Sequence, residues 1–78
     1  MEYSDILEQV LKELNYANFE LDTLVVVDGI TKITLTNGTL IELLFNKNNQ
    51  TWGLRYKRLI YNNIENLIHD IKKNYKKR

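Results

Sequence analysis

The chain's 78 residues are enough for one small domain, and at that size every core position counts. With no Cys and a single His, a disulfide framework, a cysteine-ligated metal site and a His-rich site are excluded, and no apolar run reaches the ~18 residues of a membrane span. The net charge of +1 hides two opposite halves: residues 1–28 carry Glu2, Asp5, Glu8, Glu13, Glu20, Asp22 and Asp28 against Lys12, whereas residues 55–78 carry Arg55, Lys57, Arg58, Lys72, Lys73, Lys76, Lys77 and Arg78 against Glu65 and Asp70.

That asymmetry has two readings. Acidic residues suit the start of a first helix and basic residues the end of a last one. Alternatively, the C-terminal part presents a basic face to an anionic partner. The opening Met-Glu-Tyr-Ser-Asp is acidic and lacks the apolar run of a signal peptide, so a soluble cytoplasmic protein without membrane association is expected. Asn, Lys, Ile and Tyr are abundant and Pro is absent. The four abundant residues have AT-rich codons, a composition that suits a low-GC bacterium or one of its mobile elements.

In chain order, Ser4 to about Tyr16 reads as a helix. Tyr3, Ile6, Leu7, Val10, Leu11 and Leu14 recur at three- and four-residue spacing and share one face. Ser4 or Asp5 is the expected cap, and Asp5 with Glu8 has capping-box spacing. Next comes a run of β-branched and aliphatic residues cut by two turn dipeptides, Asp28-Gly29 and Asn37-Gly38. Both dipeptides suit a type I′ turn, whose two central residues take φ > 0. Strands are therefore expected over 20–27, 30–36 and 39–45. Two-residue loops pair Val27 with Ile30 and Thr36 with Thr39. Counting outward, Leu24 faces Ile33, Asp22 faces Leu35, and Ile33 faces Glu42.

Residues 46–50 form a polar loop. From Thr51 to about Arg58, Trp52, Leu54 and Tyr56 alternate with Arg55 and Lys57, which gives a fourth strand antiparallel to the third, with Phe45 opposite Thr51. The core face then gathers Leu24, Val26, Ile33, Leu35, Leu40, Leu44, Trp52, Leu54 and Tyr56. Glu42 is the misfit on that face: it lies at a rim, or pairs with a cation, or marks a slip in the register. Residues 62–75 form the last helix, with Ile60, Ile64, Leu67, Ile68, Ile71 and Tyr75 as its stripe and Asn62 with Glu65 as its capping box. The fold class is α+β, one domain over 1–78. It is an α-β-β-β-β-α chain with a four-stranded antiparallel meander of order 1-2-3-4 and both helices on one face.

No catalytic set emerges, and no enzyme, cofactor or metal is expected. His69 lies beside the apolar stripe of the last helix near Glu65 and Asp70, and reads as a surface residue. The only Ser is Ser4, and the three glycines form no phosphate-binding loop. The helix–strands–helix order resembles that of double-stranded RNA-binding domains, in which a positive cluster at the start of the second helix grips phosphates. Arg55, Lys57 and Arg58 precede that helix here. The family also uses its first helix and first strand–strand loop. Here that helix is acidic and the loop is only Asp28-Gly29, so the function is not carried over.

The second sheet face is the informative one. Lys32, Thr34 and Thr36 are too polar for a face buried under a helix, while Val25, Val27, Ile41, Leu43 and Phe45 flank them and Arg55 and Lys57 stand at one edge. One helix on each face would cover it. Both helices on the first face would leave it open as an interface. The open reading makes Val25, Lys32, Thr34, Ile41, Leu43, Phe45, Arg55 and Lys57 the candidate partner-binding residues. The partner is another protein or, through a two-fold axis, a second copy in a homodimer. The expected function is a small non-enzymatic, inhibitor-type accessory protein of a phage or mobile element, of the anti-CRISPR or other anti-defence kind, that occupies a partner's surface. The alternative is a nucleic-acid-binding module using the basic segment from Arg55 onward.

Overall fold

The computed structural model describes residues 2–75, apart from the Tyr75 side chain. Helix α1 (Tyr3–Tyr16) leads into five strands, β1 (Leu21–Val27), β2 (Ile30–Leu35), β3 (Leu40–Asn46), β4 (Thr51–Tyr56) and β5 (Leu59–Tyr61), followed by helix α2 (Ile64–Tyr75). The strands form one antiparallel meander in the order β1-β2-β3-β4-β5. The α+β class and the placement of both helices on one face are as expected. Ile6, Val10 and Leu14 from α1 and Leu67 and Ile71 from α2 share one core with Ile33, Leu35, Ile41, Leu43, Leu54 and Tyr56. Among the described residues no helix is long and apolar enough to cross a membrane.

The helix ends differ in detail from the sequence expectation. Ser4 and Asp5 lie inside α1, and the Glu2 carbonyl accepts the Asp5 and Ile6 N–H groups. At the other end Asn18 takes φ 69°, Phe19 N–H donates to the Leu14 carbonyl and Asn18 N–H to that of Asn15. This is a Schellman motif with Asn in the left-handed position, and Phe19 returns to the core. For α2 the cap is Asn63, whose Oδ1 accepts the Asn66 N–H at 3.2 Å. Asn62 instead reaches back and donates to the Trp52 carbonyl at 3.1 Å, so the Asn62–Glu65 box does not form. Ile60 belongs to β5 and not to the helix stripe.

The first turn is as expected. Asp28 and Gly29 both have positive φ, 53° and 79°, and Leu24 pairs with Ile33, Val25 with Lys32 and Val26 with Thr31. Near its start β1 bulges: Leu21, not Asp22, faces Leu35, and Asp22 is the extra residue. The second turn is one residue longer than expected. Gly38 alone of its dipeptide has positive φ, 93°. Gly38 N–H donates to the Leu35 carbonyl, Leu35 N–H donates to the Thr39 carbonyl, and Thr39 N–H donates to Asn37 Oδ1, each at 2.9 Å. The loop is Thr36-Asn37-Gly38, a type I turn closed by a left-handed glycine.

One added loop residue turns β3 over. Lys32 now faces Glu42 and Ile33 faces Ile41. A second one-residue difference, Phe45 opposite Trp52 in place of Thr51, compensates for the first, so β4 keeps its expected faces. Only β3 exchanges sides. Ile41 and Leu43 enter the core, and Leu40 and Leu44 leave it. The energetic reason is Glu42, which the expected register would have buried beneath the helices, where an unpaired carboxylate costs several kcal/mol.

The fourth strand is shorter than expected and a fifth follows it. Lys57 and Arg58 form a two-residue left-handed turn, φ 51° and 72°, and Tyr56 faces Leu59 across it. Neither residue is a turn former, so this hairpin carries no sequence signal. Contacts further along hold it. Ile60 lies over Gly53, where a Cβ would meet Ile60 Cγ2 at 2.9 Å, and Tyr61 O–H donates to Asp70 Oδ2 of α2 at 2.5 Å.

Candidate functional site

The uncovered outer face of the sheet is built by the strand registers. Val25, Lys32, Glu42, Arg55 and Ile60 stand in one row across all five strands. Glu42 sits between two cations, with Arg55 Nε at 2.6 Å and Lys32 Nζ at 4.0 Å. Cross-strand pairs of opposite charge such as these contribute about 0.2–1 kcal/mol each. Thr23, Thr34 and Leu40 form a second row beside them, and Val27 faces Ile30 at the far end of the same face. The face thus has an ion-paired centre, Lys32, Glu42 and Arg55, with one positive charge in excess, bordered by exposed Val25, Val27, Leu40 and Ile60.

The eight expected partner-binding residues divide. Val25, Lys32, Thr34 and Arg55 lie together on the outer face. Ile41 and Leu43 are fully buried under the helices. Phe45 also faces inward, with its ring edge-on to Tyr3 at 6.0 Å between centroids. Lys57 sits at the tip of the last hairpin with its ammonium 5.7 Å from the Tyr56 ring centroid. The three inward residues follow from the turned-over β3. Leu40 and Leu44, which replace them outside, were legible only in Glu42, a charged residue in the middle of the expected core face.

Strand β1 is the feature that sequence reasoning misplaced. Leu24 and Val26 were expected in the core, yet Leu21, Leu24, Val25, Val26 and Val27 are all between 37% and 59% exposed. The helical layer is displaced from it. Helix α2 packs on β4 and β5, and α1 reaches the sheet at Thr31 and Phe45, through a Tyr3–Thr31 hydroxyl hydrogen bond and the Tyr3–Phe45 ring contact. Strand β1 therefore projects beyond the roof, open on both faces, and forms one edge of the sheet.

At the opposite corner a cleft of about 800 Å³ lies between the β2–β3 and β4–β5 turns, and Glu42, Arg55, Lys57, Arg58 and Asn74 are among its walls. Asn74 donates to the Tyr56 hydroxyl at 3.1 Å. Lys76, Lys77 and Arg78, the end of the expected basic segment, lie outside the described residues. His69 is exposed on α2, and the neighbouring Asp70 accepts from Tyr61. That hydrogen bond, some burial and the Asp70 charge push the Tyr61 hydroxyl up to about 12. Among the described residues no group of three or more His, Cys, Asp or Glu side chains comes together to hold a metal ion. Comparison with protein-family models, with curated proteins and with solved structures found no match.

Proposed function

We propose that this is a non-enzymatic protein that acts by binding another protein, occupying part of its surface as an inhibitor does, with the outer sheet face and β1 as the contact. The observation that carries the reading is β1, a run of valines and leucines open on both faces and continuous with an uncovered sheet. Exposed apolar surface next to an ion-paired centre suits an interface with an apolar core and polar anchors. The AT-rich composition supports a phage or mobile-element origin and action in the bacterial cytoplasm. Anti-CRISPR and other anti-defence inhibitors are the class such a protein would join. The test is capture of a host protein from nuclease-treated extract by the full chain. Val25→Asp with Leu44→Asp should abolish capture and leave the thermal midpoint within a few degrees. The same protein retained by both chains would refute the reading.

A second reading, a nucleic-acid-binding module, is favoured by the cleft walled by Arg55, Lys57 and Arg58. Glu42 already holds Arg55, which lowers the positive charge offered to a phosphate. Retardation of RNA or DNA at low salt, steeply lost as salt rises and lost again in Lys57→Ala with Arg58→Ala, is the result that reading requires.

A further inference from the structure

Strand β1 ends the sheet, so its outer edge carries backbone groups that β2 does not use. The pair closing the two-residue turn, Val27 and Ile30, exchanges hydrogen bonds, and such pairs alternate along an antiparallel ladder with pairs that do not. Thr23, Val25 and Val27 therefore direct their N–H and C=O groups to β2. Leu24 and Val26 direct theirs away from the sheet, four groups in all. Native sheets blunt such edges with lysine, proline, a bulge or a covering loop, and the bulge at Asp22 marks where this open edge begins. None of these devices is present from Thr23 to Val27, where the side chains are threonine, leucine and valine.

The ends of the strand carry another message. Glu20 and Asp22 stand at its start and Asp28 at its finish, all exposed. These carboxylates oppose the longer registers of pairing with a second copy. A two-fold axis through Val25 would set Asp22 opposite Asp28 of the second copy at both ends. An axis through Leu24 would set Glu20 opposite Asp28, and parallel pairing would set each carboxylate beside its own counterpart. Like charges directly opposite one another destabilise a sheet. The same carboxylates would attract a strand with cations at its ends.

Building on the proposed protein-binding role, we propose that β1 accepts a strand of a different protein, a stretch of about five β-branched or aliphatic residues with Lys or Arg on each side, which extends the sheet by one strand. The four free backbone groups supply the ladder. Leu24 and Val26 pack beside the incoming strand on the helix side, and Val25 does so on the outer side. The acidic ends select the flanks and discourage self-association.

The test uses the full chain and two nine-residue peptides with a Val-Thr-Val-Thr-Val centre, one with two lysines at each end and one with two glutamates. Binding is read from the amide NMR signals of Leu24 and Val26. The lysine-flanked peptide should shift these signals and bind at least about tenfold more tightly than the glutamate-flanked one. Val26→Pro should abolish binding and preserve the fold, because the Val26 N–H points away from β2. Val26→Lys blocks the same edge should the proline variant not fold. Asp22→Lys with Asp28→Lys should reverse the peptide preference. Equal binding of both peptides, or no binding at millimolar concentration, would overturn the proposal. So would sedimentation of the native chain as a dimer that Val26→Lys dissolves, since the occupant would then be a second copy. If host-protein capture survives Val26→Pro but fails in Leu44→Asp, the edge proposal falls and the wider protein-binding reading stands.

Discussion

Asp28-Gly29 and Asn37-Gly38 are nearly the same dipeptide, set between similar aliphatic strands, yet they build different turns. The first closes a two-residue loop with both residues left-handed. The second contributes only its glycine, at the end of a three-residue loop. A third hairpin completes the contrast: Lys57-Arg58 adopts the geometry of the first turn without its residues. A flexible dipeptide permits a turn. The strands on either side decide its length, because they must bury their apolar rows. At Asn37-Gly38 the longer loop buries Ile41 and Leu43 and hands Glu42 to Arg55.

The largest effect that could break this comparison is at β3. Leu43→Asp should destroy cooperative unfolding, because it places a carboxylate at a fully buried site, at a cost of more than about 4 kcal/mol. Leu44→Asp, one residue on, should cost less than about 1 kcal/mol. Thermal or denaturant unfolding of the two variants decides it, since a two-residue second loop would reverse their order. Next is the unsignalled turn. Left-handed backbone costs about 1–2 kcal/mol at each of Lys57 and Arg58, so Lys57→Asn with Arg58→Gly should raise the unfolding free energy by a comparable amount. No gain would show that the turn is not strained. Gly38→Ala should cost about 1–2 kcal/mol, since φ 93° remains obligatory in the longer loop.

The anchor of the last hairpin has a pH signature. Tyr61 holds its proton up to about 12 in the folded chain, against about 10 when unfolded. Between those values the unfolded state has released a proton that the folded state keeps. The Tyr61 contribution is therefore complete below pH 10 and is lost as pH rises toward 12. Tyr61→Phe should remove this Tyr61-dependent part of the loss of stability in alkali and, at neutral pH, cost about 1 kcal/mol for the hydrogen bond to Asp70. The smallest effect is Glu42→Gln, about 0.2–1 kcal/mol and diminished by salt, because the Arg55 and Lys32 pairs are partly exposed.

Much of the fold was legible without coordinates. Spacing placed both helices to within two residues, and Asp28-Gly29 fixed the β1–β2 register from Thr23 onward. What escaped was whatever depends on a neighbour distant in sequence. The fifth strand follows a lysine–arginine turn that Gly53 and Asp70 support from β4 and α2. Three of the eight expected contact residues, Ile41, Leu43 and Phe45, changed sides because a loop grew by one residue, and Lys57 moved into a turn because β4 ends early. Among the residues expected in the core, only Glu42 signalled that shift.

The sequence by itself determined the α+β class, the meander, the amphipathic stripes and the residues able to form a core, because these follow from periods of two and of three to four residues. It also determined the segregation of charge, with carboxylates at both ends of β1. The tertiary structure alone decided which alternating row of β3 is buried and how far the helices reach across the sheet. Either row of β3 holds aliphatic residues, so local preference does not choose between them; the cost of burying Glu42 does. Likewise the valines of β1 read as core in any local window. They are exposed because the two helices pack over the rest of the sheet and leave its first edge bare.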